Sequence, residues 1–206
     1  MRVLIVGSAG LLGREIVKLL SSKHEIIEAS RKKANLKADI SDRASIVALY
    51  NMVGTVDSVI CVARDDRFPP PGSSMDDDFS YSVANKLMGQ ANLVRYGVEH
   101  ISKGGSVTLT GGTLAQRPEI GNAAASVNVE VRAFIRCAAL NLFVRSAALE
   151  LHGRLRVNAI SPGWMTETWT LMGKDPAGGI SAAEVAKAYE RSLMEDMTGQ
   201  VIVAGQ

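Results

Sequence analysis

The chain has 206 residues, with 23 Lys plus Arg against 21 Asp plus Glu and a net charge of +2. That length suits one domain with a substantial core, and so small a charge argues against nucleic acid or an anionic membrane surface as a partner. The two cysteines, Cys61 and Cys137, lie in apolar segments, as expected of a reduced cytoplasmic protein. The longest apolar stretch, residues 133–151, is broken by Arg136, Asn141 and Arg145, so no membrane span is expected.

The unperiodic apolar run from Val3 to Val6 predicts a first strand so near residue 1 that no signal peptide is expected before it. Gly7, Gly10 and Gly13 follow, then an amphipathic helix over residues 14–20. Strand, glycine turn and helix together hold a pyrophosphate. Gly7 permits the tight turn, Gly10 lets the backbone approach the phosphates, and Gly13 lets the helix pack close to the strand. The N–H groups at the helix start then face the anion. Gly7-Ser8-Ala9-Gly10-Leu11-Leu12-Gly13 is therefore a candidate dinucleotide-binding turn, the alternative being a glycine turn of any α/β protein.

A second strand over residues 25–29 ends at Ser30-Arg31. About 20 residues past the glycines, an acidic side chain would bond the ribose 2′-hydroxyl of NAD. A hydroxyl beside a guanidinium suits the 2′-phosphate of NADP instead, the alternative being a solvated basic turn. Residues 36–40 supply only a brief third strand, and Ser41 and Asp42 cap a helix over 43–53. The link between the second and third strands is about six residues, where a parallel pair normally needs a crossover helix.

Residues 57–63 read as a buried parallel strand and 64–78 as a proline-bearing loop. A helix is expected over 79–101, with Val83, Leu87, Ala91, Val94, Val98 and Ile101 as one buried stripe. Gly104-Gly105 would end that segment, with a fifth strand over 106–110 and a loop over 111–122. A long helix over 123–151 carries Val127, Val131, Phe134, Ala138 and Leu142 on one side. The sixth strand, 154–160, breaks at Ser161-Pro162-Gly163. Ser181 starts a helix over 182–194, and a last strand covers 200–204. This alternation predicts an α/β, Rossmann-like, doubly wound parallel sheet in a single domain, with ligands beyond the carboxyl ends of the strands.

These residues resemble the short-chain dehydrogenase/reductase family over nearly the whole chain. The resemblance rests on the glycine turn, on Ala38-Asp39-Ile40, on Val157-Asn158-Ala159-Ile160-Ser161-Pro162-Gly163 and on Thr198-Gly199-Gln200-Val201. It implies that Asp39 and Ile40 touch the adenine and that Ala63 approaches its ribose. It also implies that Pro162, Gly163 and Thr166, or Thr168 in its place, lie along the nicotinamide. The family's Asn-Asn-Ala-Gly after the fourth strand reads Cys61-Val62-Ala63-Arg64 here, so Arg64 either clamps a phosphate or obstructs the nicotinamide half. Family members pair two long helices, which implies a homodimer or homotetramer.

The family's proton donor is a tyrosine in Tyr-x-x-x-Lys on the long helix. In the matching segment Ala133 stands for the tyrosine and Cys137 for the lysine. No register shift restores the pair, because Gly54, Asn85, His100 and Leu193 lie four residues beyond the four tyrosines. The family's Asn-x-x-Gly reads Lys86-Leu87-Met88-Gly89, and its serine is replaced near Thr110-Gly111-Gly112-Thr113. Lys86 is the candidate replacement acid, with Thr110 and Thr113 as hydrogen-bond donors to a substrate oxygen. The alternatives are a solvent-facing lysine and ordinary loop bonding. Trp164 and Trp169 either line an apolar substrate pocket or cover the sheet. His24, His100 and His152 have no partner at ligand spacing, so no metal site is expected. Two functions follow: an NADP(H)-dependent oxidoreductase acting on a small carbonyl substrate through a non-standard proton donor, or a catalytically silent NADP(H)-binding sensor or scaffold.

Overall fold

The structure, a computed structural model, describes residues 1–63, 83–113, 123–173 and 175–205, with the backbone alone for 84, 85, 123–134 and 136. Its strands are β1 (Arg2–Val6), β2 (Glu25–Ser30), β3 (Leu36–Lys37), β4 (Val56–Cys61), β5 (Ile101–Thr110), β6 (Arg156–Ser161) and β7 (Val201–Val203). Its helices are α1 (Leu11–Leu20), α2 (Arg43–Val53), α3 (Gly89–Gly97), α4 (Ala123–Glu150), α5 (Thr166–Leu171) and α6 (Ala182–Met194). A π-helical turn (Val83–Met88) leads into α3.

The seven strands are all parallel, in the order β3-β2-β1-β4-β5-β6-β7. One face buries Leu4, Val6, Val59 and Val107 with side chains of α2, α3 and α4; the other buries Val3, Ile5 and Ile60 with those of α1 and α6. Helices on both faces explain why β1 and β4 are continuous apolar runs without alternation. This is the expected doubly wound α/β sheet.

Several boundaries differ from the sequence expectation for physical reasons. No crossover helix joins β2 to β3, because a side-chain-closed turn does so. Ser30 Oγ accepts the amides of Lys33 and Ala34 at 3.0 and 2.8 Å, and Lys37 Nζ donates to the carbonyls of Lys32 and Ala34. The helix expected over 79–101 gives way by residue 98, and Ile101 already pairs with Val56 in β5. The register then slips before Ser58 meets Ser106, with Gly104 at φ +79°. Gly105 approaches Asp57 so closely that a Cβ would stand 2.4 Å from its carbonyl oxygen. The glycine pair therefore bulges a strand rather than ending a helix.

Helix α1 begins at Leu11, which puts Gly13 inside it. The segment after Pro162 is no plain loop: it carries α5 and is pinned at its neck by Thr166 N to Ile180 O and Ile180 N to Trp164 O, both 3.0 Å. Asp42 caps α2 through the amide of Ala44 at 2.9 Å, and Ser181 caps α6 through that of Glu184 at 3.2 Å, as expected. Arg64 lies outside the described residues, as do the side chains of Val127, Val131, Ala133 and Phe134. Among the described residues, no helix is long and apolar enough to cross a membrane.

Candidate active site

The carboxyl ends of the central strands open on a cavity of about 440 Å³. Its floor is the glycine turn, where Gly7, Gly10, Leu11, Leu12 and Gly13 all line it. Gly7 has φ +95°, and a Cβ there would stand 2.5 Å from the Ala63 nitrogen. A Cβ on Gly13 would stand 2.2 Å from the Gly7 carbonyl oxygen. Bare backbone is thus required where β1, β4 and α1 converge. Gly10 brings no capping side chain to α1, so the first amides of that helix are left for a ligand acceptor. Ser8 lies beneath the turn, fully buried, its amide and hydroxyl bonded to the Ala29 carbonyl at 3.2 and 3.4 Å. Ala9 gives its carbonyl to the Arg14 guanidinium at 3.1 Å and is not among the lining residues.

Ser30 and Arg31 stand together at the β2 end of the same cavity. The two amides on Ser30 Oγ occupy both of its acceptor sites, so its remaining capacity is to donate. Such a group favours an acceptor-only partner. Ala38, Asp39 and Ile40 form the next part of the wall, with the Asp39 carboxylate held by the amide and hydroxyl of Ser41 at 2.9 and 2.6 Å. Val62 and Ala63 close the opposite side.

At the far end, Lys86 is buried at 8% exposure and lines the cavity. Its Nζ donates to the Gly111 carbonyl at 2.9 Å. Thr110 also reaches the cavity, but its hydroxyl donates to the Cys61 carbonyl at 2.5 Å and accepts from the Tyr189 hydroxyl at 2.7 Å. With its one proton committed, it has none to give a substrate. Pro162, Met165, Thr168 and Leu171 line the cavity on the β6 side. Thr168, the alternative, stands there rather than Thr166, whose backbone packs under Gly179.

Thr113 and Gly163 line a neighbouring cavity of about 940 Å³, with Trp164 and Trp169 in its wall, their ring centroids 6.4 Å apart. The Thr113 amide donates to the Pro162 carbonyl at 3.3 Å, next to the first cavity. Burial pushes the Cys61 thiol up to about 12, against the Ala63 amide and the charge of Lys86, which leaves it an inert core thiol. Cys137 is buried too. His100 stacks on Tyr50 at 5.2 Å, and no group of three or more metal-ligating side chains occurs among the described residues.

Sequence reasoning passed over Gln90, which is fully buried beside Lys86 and Thr110. The local pattern carries no signal for it, since Ala91 already fills the apolar stripe between Leu87 and Val94. Tyr189 was also passed over, because its partner Thr110 is remote in the chain.

Residues 16–204 match a family model described as enoyl-(acyl carrier protein) reductase. No curated protein matches the chain. Among solved structures, the protein lin1944 from Listeria innocua is 30% identical, with 98% of each chain covered and a TM-score of 0.87. A small-chain dehydrogenase in complex with NADPH is 26% identical, with 99% of this chain and 96% of that one covered and a TM-score of 0.80. A short chain dehydrogenase from Burkholderia cenocepacia in complex with NADP shares the fold at 17% identity, with 98% and 95% covered and a TM-score of 0.81. With this match across the sequence and this sheet around a glycine turn, the chain belongs to the short-chain dehydrogenase/reductase family.

Proposed function

We propose that the protein is an NADP(H)-dependent oxidoreductase that reduces a small carbonyl compound, with Lys86 as the proton donor. The observation that carries this reading is one cavity holding both a side-chain-free glycine turn and a buried ammonium. The turn fits the cofactor because Gly7 and Gly13 let β1, β4 and α1 pack backbone to backbone, which brings the uncapped start of α1 to the cavity floor. The amides at the start of α1 would take the pyrophosphate, Asp39 and Ile40 the adenine, and Ser30 with Arg31 the 2′-phosphate. Pro162 and Thr168 would lie along the nicotinamide, which when bound supplies or accepts the hydride.

The chain's own part in the reaction is placement and a proton. The Gly111 carbonyl orients the Lys86 ammonium at 2.9 Å, and Lys86 lines the cavity wall. A substrate oxygen gaining charge during reduction would be stabilised by such a positively charged donor. The neighbouring cavity beside Thr113, with its two tryptophans, suits a substrate with an apolar body.

NADPH consumption with a panel of carbonyls and quinones tests this reading. Turnover abolished in Lys86→Ala but kept in Cys137→Ala supports it. Tight NADPH binding with no turnover on any of them would favour the NADP(H)-binding sensor or scaffold instead.

A further inference from the structure

We propose that Gln90 is a positioning residue that holds the Lys86 ammonium in the cavity wall; this rests on the reading of Lys86 as the proton donor. A π-helical turn is a rare element that frequently marks functional sites, and here it carries Lys86 at Val83–Met88. Where that turn meets α3, Gly89 presses on Ile40 so closely that a Cβ would stand 2.6 Å from the Ile40 carbonyl oxygen. The junction is thereby clamped against the wall formed by Ala38, Asp39 and Ile40.

Gln90 then ties the turn to the sheet. Its Nε2 donates to the Lys86 carbonyl at 3.2 Å and to the Thr110 carbonyl at 3.0 Å, while its Oε1 accepts the Thr110 amide at 2.7 Å. The next residue along, Gly111, receives the Lys86 Nζ at 2.9 Å. Lys86, Gln90, Thr110 and Gly111 thus close a ring of hydrogen bonds and peptide links that grips Lys86 at its backbone and at its charged end. Gln90 is fully buried beside Ala91 of the apolar stripe, where an apolar residue would carry no desolvation penalty. What the amide adds is direction.

Among the described residues, the ionisable groups around this ring are Cys61 at the end of β4, Arg31 and Asp39 in the cavity wall, Cys137 of α4 beside Gly112, and Tyr189 of α6 through Thr110. Gln90→Leu removes all three side-chain bonds. Gln90→Glu keeps an acceptor for the Thr110 amide but sets a carboxyl group against the Lys86 and Thr110 carbonyls.

Competitive labelling of lysine amines with acetic anhydride across pH, read by peptide mass spectrometry, tests the proposal without a substrate. The exposed Lys18 and Lys103 serve as internal references, with folding followed by circular dichroism and cofactor binding by NADPH fluorescence. In Gln90→Leu, Lys86 is expected to label about tenfold faster than in the wild-type protein, because its local opening is freed, while Lys18 and Lys103 are unchanged. In Gln90→Glu, the pH at which Lys86 becomes reactive is expected to rise by about one unit, since a nearby negative charge favours the ammonium. A purely structural role would lower the melting temperature and leave both readouts unmoved. Folded variants whose Lys86 labels at the wild-type rate and pH would overturn the proposal, and if Gln90→Leu does not fold, Gln90→Glu decides by the same criterion. Wild-type protein that ignores NADPH would sink the cofactor reading while the labelling result still answered for Gln90.

Discussion

Gly13 lies with its bare Cα against Gly7, and a Cβ there would stand 2.2 Å from the Gly7 carbonyl oxygen and 2.7 Å from Ser8 Cα. Backbone, not a flexible side chain, is the obstacle, so α1 would have to move off β1. Gly13→Ala is therefore expected to lower stability by ~1–3 kcal/mol, as other overpacked sites do. It should also weaken NADPH binding, because the amides of α1 move with the helix. Urea denaturation and NADPH fluorescence check the two effects. An alanine variant with wild-type stability and affinity would contradict this packing.

Ser30 closes the β2–β3 turn through the amides of Lys33 and Ala34. Ser30→Ala leaves both amides without that partner at a largely buried position, at an expected loss of ~1–3 kcal/mol. Calorimetry measures this loss. Lys37→Ala, which removes the donor to the carbonyls of Lys32 and Ala34, should loosen the same turn less, since Lys37 is the more exposed partner.

His24 follows α1 with neither ring nitrogen hydrogen-bonded. Burial draws its pKa below the usual 6.5, helped by the positive charges of the amino terminus and Lys23 and opposed by Glu190. The folded state therefore binds this proton less readily than the unfolded chain, so stability falls as pH drops through about 6.5. The melting temperature is expected to decline between about pH 7.5 and pH 5.5, and His24→Gln should flatten that part of the curve. A wild-type melting temperature unchanged across this window would contradict the assignment.

Helix α4 leaves Ile135, Leu142 and Leu149 exposed at seven-residue spacing, Leu142 at 66% and Leu149 at 81%. Leu142 thus faces away from the sheet, and such an apolar stripe suits pairing with a second copy of the chain. Analytical ultracentrifugation is expected to show a dimer or tetramer that Leu142→Glu with Leu149→Glu converts to smaller species. A wild-type monomer at high concentration would remove the homo-oligomer from the reading.

Patterns that reside in neighbouring residues were legible in the sequence. The glycine turn, the Asp42 and Ser181 caps and the apolar strands each depend on contacts within a few positions. Partnerships made across the sheet were not. The apolar spacing that suggests one helix over 79–101 continues smoothly through Val98 to Ile101, yet Ile101 is taken by its pairing with Val56. Thr110 reads as a hydrogen-bond donor in the sequence, but its proton goes to the carbonyl of Cys61, 49 residues earlier in the chain. The π-helical turn has no local signature, since its shape follows from how Gly89 meets Ile40 and Gln90 meets Thr110.

Calorimetric titration of the wild-type protein and Arg31→Ala with NADPH and NADH bears most directly on the central claim. Arg31 stands with Ser30 at the cavity, and a charge-assisted bond to a 2′-phosphate is worth ~1.5–3 kcal/mol. The wild-type protein should bind NADPH more than tenfold tighter than NADH, and Arg31→Ala should abolish most of that preference while leaving NADH affinity nearly unchanged. Binding of neither coenzyme, or equal binding of both that Arg31→Ala does not alter, would contradict it.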